Sequence, residues 1–332
     1  VDLAGFTTTF SHFHHCCHLL YSLKLMGYCA LTRGRCAALH KPLTMESMNR
    51  LLTSLAFGLS LLFATPLLAS EVVHQGFPSA TLHREYVFNI YLPEGYASSG
   101  LRYPVTYLLH GNLGTEESWV RNGHIAETAD ALIAAGKIPA QLIVVPADPK
   151  FWWADGAEEK ALTAFIRDLV PYVDSHYRTL AQRDGRAIAG YSAGGFGTAN
   201  IALQYPEMFA AAAPLSPAVY ATVPPADSSA TQQDTFLTDG KFDEALWRRN
   251  NWVSFVDSYR EKGIVVPFYI NTGDHDRFDI AYHATVFYMA LRKFQPEFTE
   301  LRIFDGDHNF AAWGGSIGDA MQYMARYLSA PQ

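Results

Sequence analysis

Residues 85–93, EYVFNIYLP, alternate polar and apolar positions and are rich in aromatic and β-branched types, which predicts a half-exposed strand. PVTYLLHG (104–111) and QLIVVPAD (141–148) are instead unbroken apolar runs ending in turn residues, as buried parallel strands do. Between them, HIAETADALIAAGKIP has the three-and-four spacing of a helix, with Gly136 placed to stop it. EKALTAFIRDLVPYVDSHY (159–177) repeats that spacing. GRAIAG (185–190) predicts a short strand, and the small-residue segment GGFGTANIALQY a helix that must end before Pro206. Two further strands, VPFYINTGD (266–274) and ELRIFDGDH (300–308), flank the helical AYHATVFYMALRKF. Strand and helix alternate, so the expected fold class is α/β, a mostly parallel central sheet with helices on both faces.

One interval breaks the rhythm. Residues 219–252, VYATVPPADSSATQQDTFLTDGKFDEALWRRNNW, are polar, hold Pro224 and Pro225, and show no strand. They predict a lid or pocket insertion within a single domain over 71–332.

The first 70 residues differ again. Arg50 precedes an uncharged run from Leu51 to Ser70 that ends in small residues, the layout of a signal peptide. Such a signal over 45–70 would start at Met45 or Met48 and be cut near Ala69 or Ser70. The run is long enough for an uncleaved anchor, but Pro66 and the small residues behind it favour cleavage, hence a secreted or periplasmic protein. No cysteine follows the run, which excludes a lipid-modified cysteine anchor. Residues 1–44 then read as a non-native or upstream extension. They hold all four cysteines, Cys16, Cys17, Cys29 and Cys36, around HFHHCCH at 12–18. That cluster is cramped and lacks two separated ligand pairs, so no metal site is predicted there.

With 49% hydrophobic residues in 332, the chain has ample material for a buried core. The net charge of −7 argues against nucleic acid or an anionic membrane surface as partner. Oligomeric state has no signature in the sequence.

The pattern Gly-x-Ser-x-Gly occurs twice, as GYSAG (190–194) and GGSIG (314–318). A nucleophilic serine of this type sits on a sharp strand-to-helix turn, where flanking glycines avoid collision and the hydroxyl stands clear of the sheet. Ser192 has a predicted strand before it and a small-residue helix after it. Ser316 follows HNFAAW in an expected loop, with no histidine beyond it, so it is set aside. The serine needs a base, and the base a carboxylate, in the order Ser, Asp or Glu, His. His308 ends the last strand and is the expected base. His283 falls in a helix, and His275 lies too close to the acid turn to serve. For the acid, NTGDHDRFD offers Asp274, Asp276 and Asp279. Asp279 reads as a helix N-cap, and spacing does not choose between the other two. An oxyanion hole requires two backbone N–H donors. Ala193, after the serine, and Asn112, in the glycine-containing HGNLG (110–114), are the candidates.

Two metal readings compete for the same acids. DGDHN (305–309) begins like a calcium loop but has Phe310 at the sixth position and Ser316 at the twelfth, which an EF-hand does not tolerate. Asp274, His275, Asp276, Asp307 and His308 as metal ligands would leave the Ser192 turn and the 110–114 loop unexplained. No metal is predicted.

With these residues in place, the chain resembles the esterase D-like branch of the α/β-hydrolases over about residues 84–328. The branch includes feruloyl and acetylxylan esterases, S-formylglutathione hydrolase, enterobactin esterases and mycolyltransferases. The resemblance rests on NIYLPEGY, YPVTYLLHGNLGTEESW, YVDSHYRT, AIAGYSAGGFGTANIALQYPEMFAAAAPLS, GDHDRFD and GDHNFAAW. It implies the α/β-hydrolase fold, Ser192 as nucleophile, His308 as base, and Asn112 and Ala193 at the oxyanion. The family's Gly-x-x-Asp turn maps onto Gly273 to Asp276, which makes Asp276 the acid. The motifs show no cationic cluster for an anionic siderophore, the export signal is unlike a cytosolic formylglutathione hydrolase, and the acid is not the glutamate of mycolyltransferases. What remains is an exported serine carboxylesterase that needs no cofactor and acts on small-molecule or carbohydrate-linked esters of feruloyl or acetyl type. The alternatives are an acyltransferase of the mycolyltransferase type and a non-catalytic binding module. The aromatics Phe151, Trp152, Trp153 and Trp313 are candidates to line a pocket for an aryl or sugar group, with packing as the competing reading.

Overall fold

The computed structural model describes residues 69–147 and 152–332. The expected extension 1–44 with its His/Cys cluster, almost all of the signal segment 45–70, and Phe151 lie outside the described residues.

The main sheet contains β1 (Glu71–Ser79), β2 (Arg84–Leu92), β3 (Val105–Leu109), β4 (Leu142–Pro146), β5 (Arg186–Tyr191), β6 (Ala211–Leu215), β9 (Phe268–Gly273) and β10 (Thr299–Phe304). The two-residue strands β7 (Leu237–Thr238) and β8 (Lys241–Phe242) form a separate hairpin. Spatial order in the sheet is β1-β2-β4-β3-β5-β6-β9-β10. β1 pairs antiparallel with β2, and β2 antiparallel with β4; every pairing from β4 to β10 is parallel. This is the α/β-hydrolase arrangement, with β3, β4, β5 and β6 buried along their whole length.

Two strands carry no readable pattern. β1 is an edge strand whose residues are mostly half-buried or exposed, so its polar and apolar positions do not alternate cleanly. β6 reads AAAPL; alanine and proline have no strand preference, and burial between β5 and β9 alone makes it a strand.

Helices cover both faces. One core packs Phe165, Phe196, Ala199, Phe287 and Leu291, from 161–176, Ala193–Gln204 and Ile280–Arg292, onto the sheet. The other packs Ile125 and Ala129 of Ile125–Ala134, and Ile317, Met321 and Met324 of Phe310–Ala325, onto the opposite face. The 161–176 helix widens to a π turn over Phe165–Leu169, just before Pro171, whose nitrogen cannot donate to the ladder.

The 219–252 interval is built of short turns, the β7–β8 hairpin and the helix Glu244–Arg249, whose N-cap Asp243 accepts from Ala245 N (2.8 Å) and Leu246 N (3.1 Å). The expectation of no strand there needs correction. Asp239 and Gly240 both take left-handed φ (50° and 71°), and this Asp-Gly pair closes a hairpin too short for any periodicity. Ser316 also differs from expectation: it lies inside the helix Phe310–Ala325, not in a loop. Among the described residues no helix is long and apolar enough to cross a membrane.

Candidate active site

Ser192 stands between the last residue of β5 and the first of the helix Ala193–Gln204, at φ 56° and ψ −118°. A non-glycine residue there carries about 1–3 kcal/mol of strain, sustained only because its surroundings over-determine it. Its N–H donates to Leu215 O (3.0 Å), and its carbonyl accepts from Phe196 N (2.9 Å) and Ala218 N (3.2 Å). The turn tolerates no neighbouring side chains. A Cβ on Gly194 would lie 2.6 Å from the carbonyl oxygens of both Leu109 and His110, and one on Gly190 2.7 Å from Gly194 O.

The chain brings Asp276 and His308 to this serine from the ends of β9 and β10. His308 Nε2 is 2.9 Å from Ser192 Oγ, and His308 Nδ1 is 2.6 Å from Asp276 Oδ2. A carboxylate only accepts, so the imidazole proton sits on Nδ1, and Nε2 is left to accept from the serine hydroxyl. The Asp276 side chain is fully buried, and its second oxygen accepts from Phe278 N at 3.1 Å. Phe278 and Trp313 hold the imidazole on edge, each with ring centroids 5.0 Å away.

The other acids and histidines are placed elsewhere. Asp274 is exposed and accepts from Gly306 N (3.2 Å); His275 is exposed beside Asp274 and Asp305. His283 is buried edge-on to Tyr220, and burial pushes its pKa down. Asp279 occupies the N-cap position of Ile280–Arg292 but with φ 54° and no side-chain cap bond, so its capping role needs correction. Ser316 is buried, its hydroxyl over Trp313 O at 3.4 Å. Among the described residues, two groups gather metal-type donor atoms, His74 with Glu116 and Glu117, and Asp274 with His275 and Asp305; neither includes Asp276 or His308.

The loop after β3 presses directly on the elbow. A Cβ on Gly111 would lie 2.5 Å from the Tyr191 ring and 3.2 Å from Ser192 Cβ, so only glycine lets the 110–114 backbone come this close. Asn112 follows it, and Ala193 opens the helix after the serine, so both backbone segments border Ser192. His110, fully buried, has its pKa lowered to about 4 by loss of solvent; its neutral Nδ1–H donates to Gly111 O at 2.8 Å. A serine hydroxyl, an imidazole and a buried carboxylate joined in one hydrogen-bonded chain, with the 110–114 backbone packed against the serine, form an arrangement able to carry out acyl transfer.

Residues 79–324 match the family model described as "Putative esterase". The chain belongs to this esterase family. Among curated relatives, an esterase of Mycobacterium tuberculosis is 34% identical over 196 residues, 53% of this chain and 41% of the relative. The endo-1,4-β-xylanase/feruloyl esterase of Xylanibacter ruminicola is 38% identical over 130 residues, 36% of this chain and 18% of the relative. The chain therefore spans less than half the length of either. Among solved structures, a ferulic acid esterase superposes with a TM-score of 0.68 at 25% identity, covering 79% of this chain and 100% of that one. An S-formylglutathione hydrolase from Agrobacterium tumefaciens gives 0.63 at 22% identity over 79% of this chain and 97% of that one. Family and fold agree with the esterase D-like resemblance.

In this esterase-family chain the three described aromatics among those proposed for a pocket, Trp152, Trp153 and Trp313, are packed inside. Trp152, Trp153 and Trp313 are only 4%, 2% and 6% exposed. Trp152 sits edge-on to Phe196, Phe236 and Trp247. Trp153 donates to His110 O (2.9 Å), and Trp313 stacks on Tyr191 at 4.1 Å. They brace the loops around Ser192 and leave almost no surface for a substrate. One contact was not signalled by the sequence: Asn112 Oδ1 accepts from Trp152 Nε1 and from Gln233 Nε2, each at 3.1 Å. Gln233 lies 121 residues from Asn112 in an interval without periodicity, and nothing local marks it.

Proposed function

We propose that this chain is an exported serine carboxylesterase working through an acyl-enzyme. The observation that carries the reading is the continuous hydrogen-bonded chain Ser192–His308–Asp276 at a strained strand-to-helix turn. Ser192 Oγ attacks the ester carbonyl carbon as its proton passes to His308 Nε2. The carbonyl oxygen, now an anion, is held by the N–H groups of Asn112 and Ala193. His308 returns the proton to the leaving alkoxide, and the alcohol departs. Water then repeats the sequence on the acyl-enzyme, releasing the acid and restoring Ser192. Throughout, Asp276 keeps the imidazole in the tautomer with Nε2 free and offsets its transient positive charge. No cofactor enters this scheme.

The substrate class in this reading is feruloyl- or acetyl-type esters, including those linked to carbohydrate. Support comes from the relative named endo-1,4-β-xylanase/feruloyl esterase and the structural neighbour named ferulic acid esterase. Export would be directed by residues 45–70, and the N-terminal residue of protein recovered from periplasm or medium tests it.

The deciding experiment compares the full chain with Ser192→Ala on methyl ferulate and p-nitrophenyl acetate. Loss of serine and its paired base chemistry should lower kcat by about 10⁴–10⁶-fold on whichever ester is turned over. Turnover of p-nitrophenyl acetate without methyl ferulate would move the substrate toward acetyl esters. Hydrolysis undiminished in the variant would overturn the serine mechanism.

A further inference from the structure

Asn112 meets the rest of the protein through its side chain as well as its backbone. Its Oδ1 accepts from the Trp152 indole N–H and from the Gln233 amide, both at 3.1 Å. An indole nitrogen can only donate, so the oxygen of the Asn112 amide is the atom that faces Trp152. Gln233 must then present its NH₂ to the same oxygen. The next residue, Leu113, has φ 58° and is 79% exposed, so it lends the turn strain and no packing. Within the turn, the bond from Gly114 N to Gly111 O (3.0 Å) closes the backbone. The two bonds to Oδ1 tie that closed turn to the body of the protein.

Gln233 is itself well anchored. It lies between the short turns Ser229–Gln232 and Asp234–Phe236, and its carbonyl accepts from Phe236 N at 2.8 Å. Phe236 is fully buried, 5.9 Å from Phe196 and 4.9 Å from Trp247 between ring centroids. Phe196 belongs to the helix that begins with Ala193. The 219–252 interval therefore grips both backbone segments that border Ser192, one through Phe236 and one through Gln233.

We propose that Gln233 is a positioning residue for ester hydrolysis: its amide, with the Trp152 indole, fixes Asn112 so that the Asn112 N–H points at the developing oxyanion. This rests on the carboxylesterase reading above. It gives the 219–252 interval a share in building the oxyanion hole.

The test replaces the donor while keeping the shape. Gln233→Glu is isosteric but offers Asn112 Oδ1 an acceptor, and Gln233→Met keeps the length with neither. Displacing one oxyanion donor, short of deleting it, should lower kcat on p-nitrophenyl acetate about 10–100-fold in the full chain. KM should change less than about twofold, and the Ki of phenylboronic acid, which forms a tetrahedral adduct on the serine, should rise with the loss in kcat/KM. In an Asn112→Ala background, which keeps the N–H but removes Oδ1, Gln233→Glu should have no further effect. Melting curves separate lost positioning from lost fold, and Gln233→Met decides should the glutamate variant not fold. Unchanged kcat in the variants, or an equal loss in both backgrounds, overturns the proposal. Absence of ester turnover by the wild type is a different result: it removes the carboxylesterase reading and this proposal with it.

Discussion

Gly273 and Gly306 meet backbone to backbone, so closely that a Cβ on Gly273 would overlap the Gly306 carbonyl oxygen. The two glycines end β9 and start the turn beyond β10, and those turns carry Asp276 and His308. Asp274 N donates to Phe304 O (2.9 Å), His275 N to Gly306 O (3.0 Å), and Gly306 N to Asp274 Oδ1 (3.2 Å). This lacing holds the turn that carries Asp276 against the turn that carries His308, whose side chains meet at 2.6 Å.

Gly273→Ala should therefore force the two turns apart. Misplacement by a fraction of an ångström to an ångström is expected to lower kcat about 10–100-fold. The accompanying destabilisation should be about 1–3 kcal/mol, so the variant remains folded at room temperature. Steady-state kinetics with p-nitrophenyl acetate, read beside a urea melt, checks this. A variant with wild-type kcat would show that the turns are positioned by something other than this contact.

His110 predicts a pH dependence of stability. Burial lowers its pKa from 6.5 to about 4 in the folded chain, while the unfolded chain keeps the ordinary value. Above pH 6.5 the ring is neutral in both states, and its contribution is complete. As pH falls from 6.5 toward 4, the unfolded state binds a proton that the folded state refuses, so stability is lost across that window. The full loss amounts to about 3 kcal/mol. The measurement is the free energy of unfolding between pH 7 and 4 for the wild type and for His110→Asn, which cannot titrate. The wild type should fall more steeply, whatever the variant does to stability at pH 7. Parallel curves would mean that His110 takes up its proton equally in both states.

Much of this architecture is legible in the sequence wherever burial leaves a periodic trace. β3, β4 and β5 are apolar because both their faces are covered, and the Ser192 elbow is legible because collision with Leu109 and His110 admits only glycine beside it. Legibility fails where tertiary contact replaces local preference. The alanines of β6 become a strand only between two others. Asp274 and Asp276 are equivalent by spacing, yet in the folded chain Asp274 is exposed and Asp276 buried. In one dimension Trp152 and Trp153 fit a binding platform and packing equally well. Both take left-handed φ (51° and 58°), which local propensity disfavours; Trp152 packs into the cluster of Phe196, Phe236 and Trp247, and Trp153 against His110.

Trp313 offers the sharpest separation of packing from hydrogen bonding around the site. Its ring stacks on Tyr191 at 4.1 Å and 22°, and stands at 90° to His308 with centroids 5.0 Å apart. Its indole N–H is buried and meets no acceptor among the described residues. Trp313→Phe keeps an aromatic wall against both neighbours and removes the unmet donor, so lost volume and relieved desolvation oppose each other. Its cost should stay below about 1.5 kcal/mol. Trp313→Ala removes the wall, with an expected cost of about 3–5 kcal/mol, and frees the His308 ring to tilt away from Ser192. Denaturant melts should thus rank wild type and Phe close together with Ala far below, and kcat should fall several-fold more in Ala than in Phe. Equal destabilisation by the two substitutions would show that a phenyl ring recovers none of what the indole contributes.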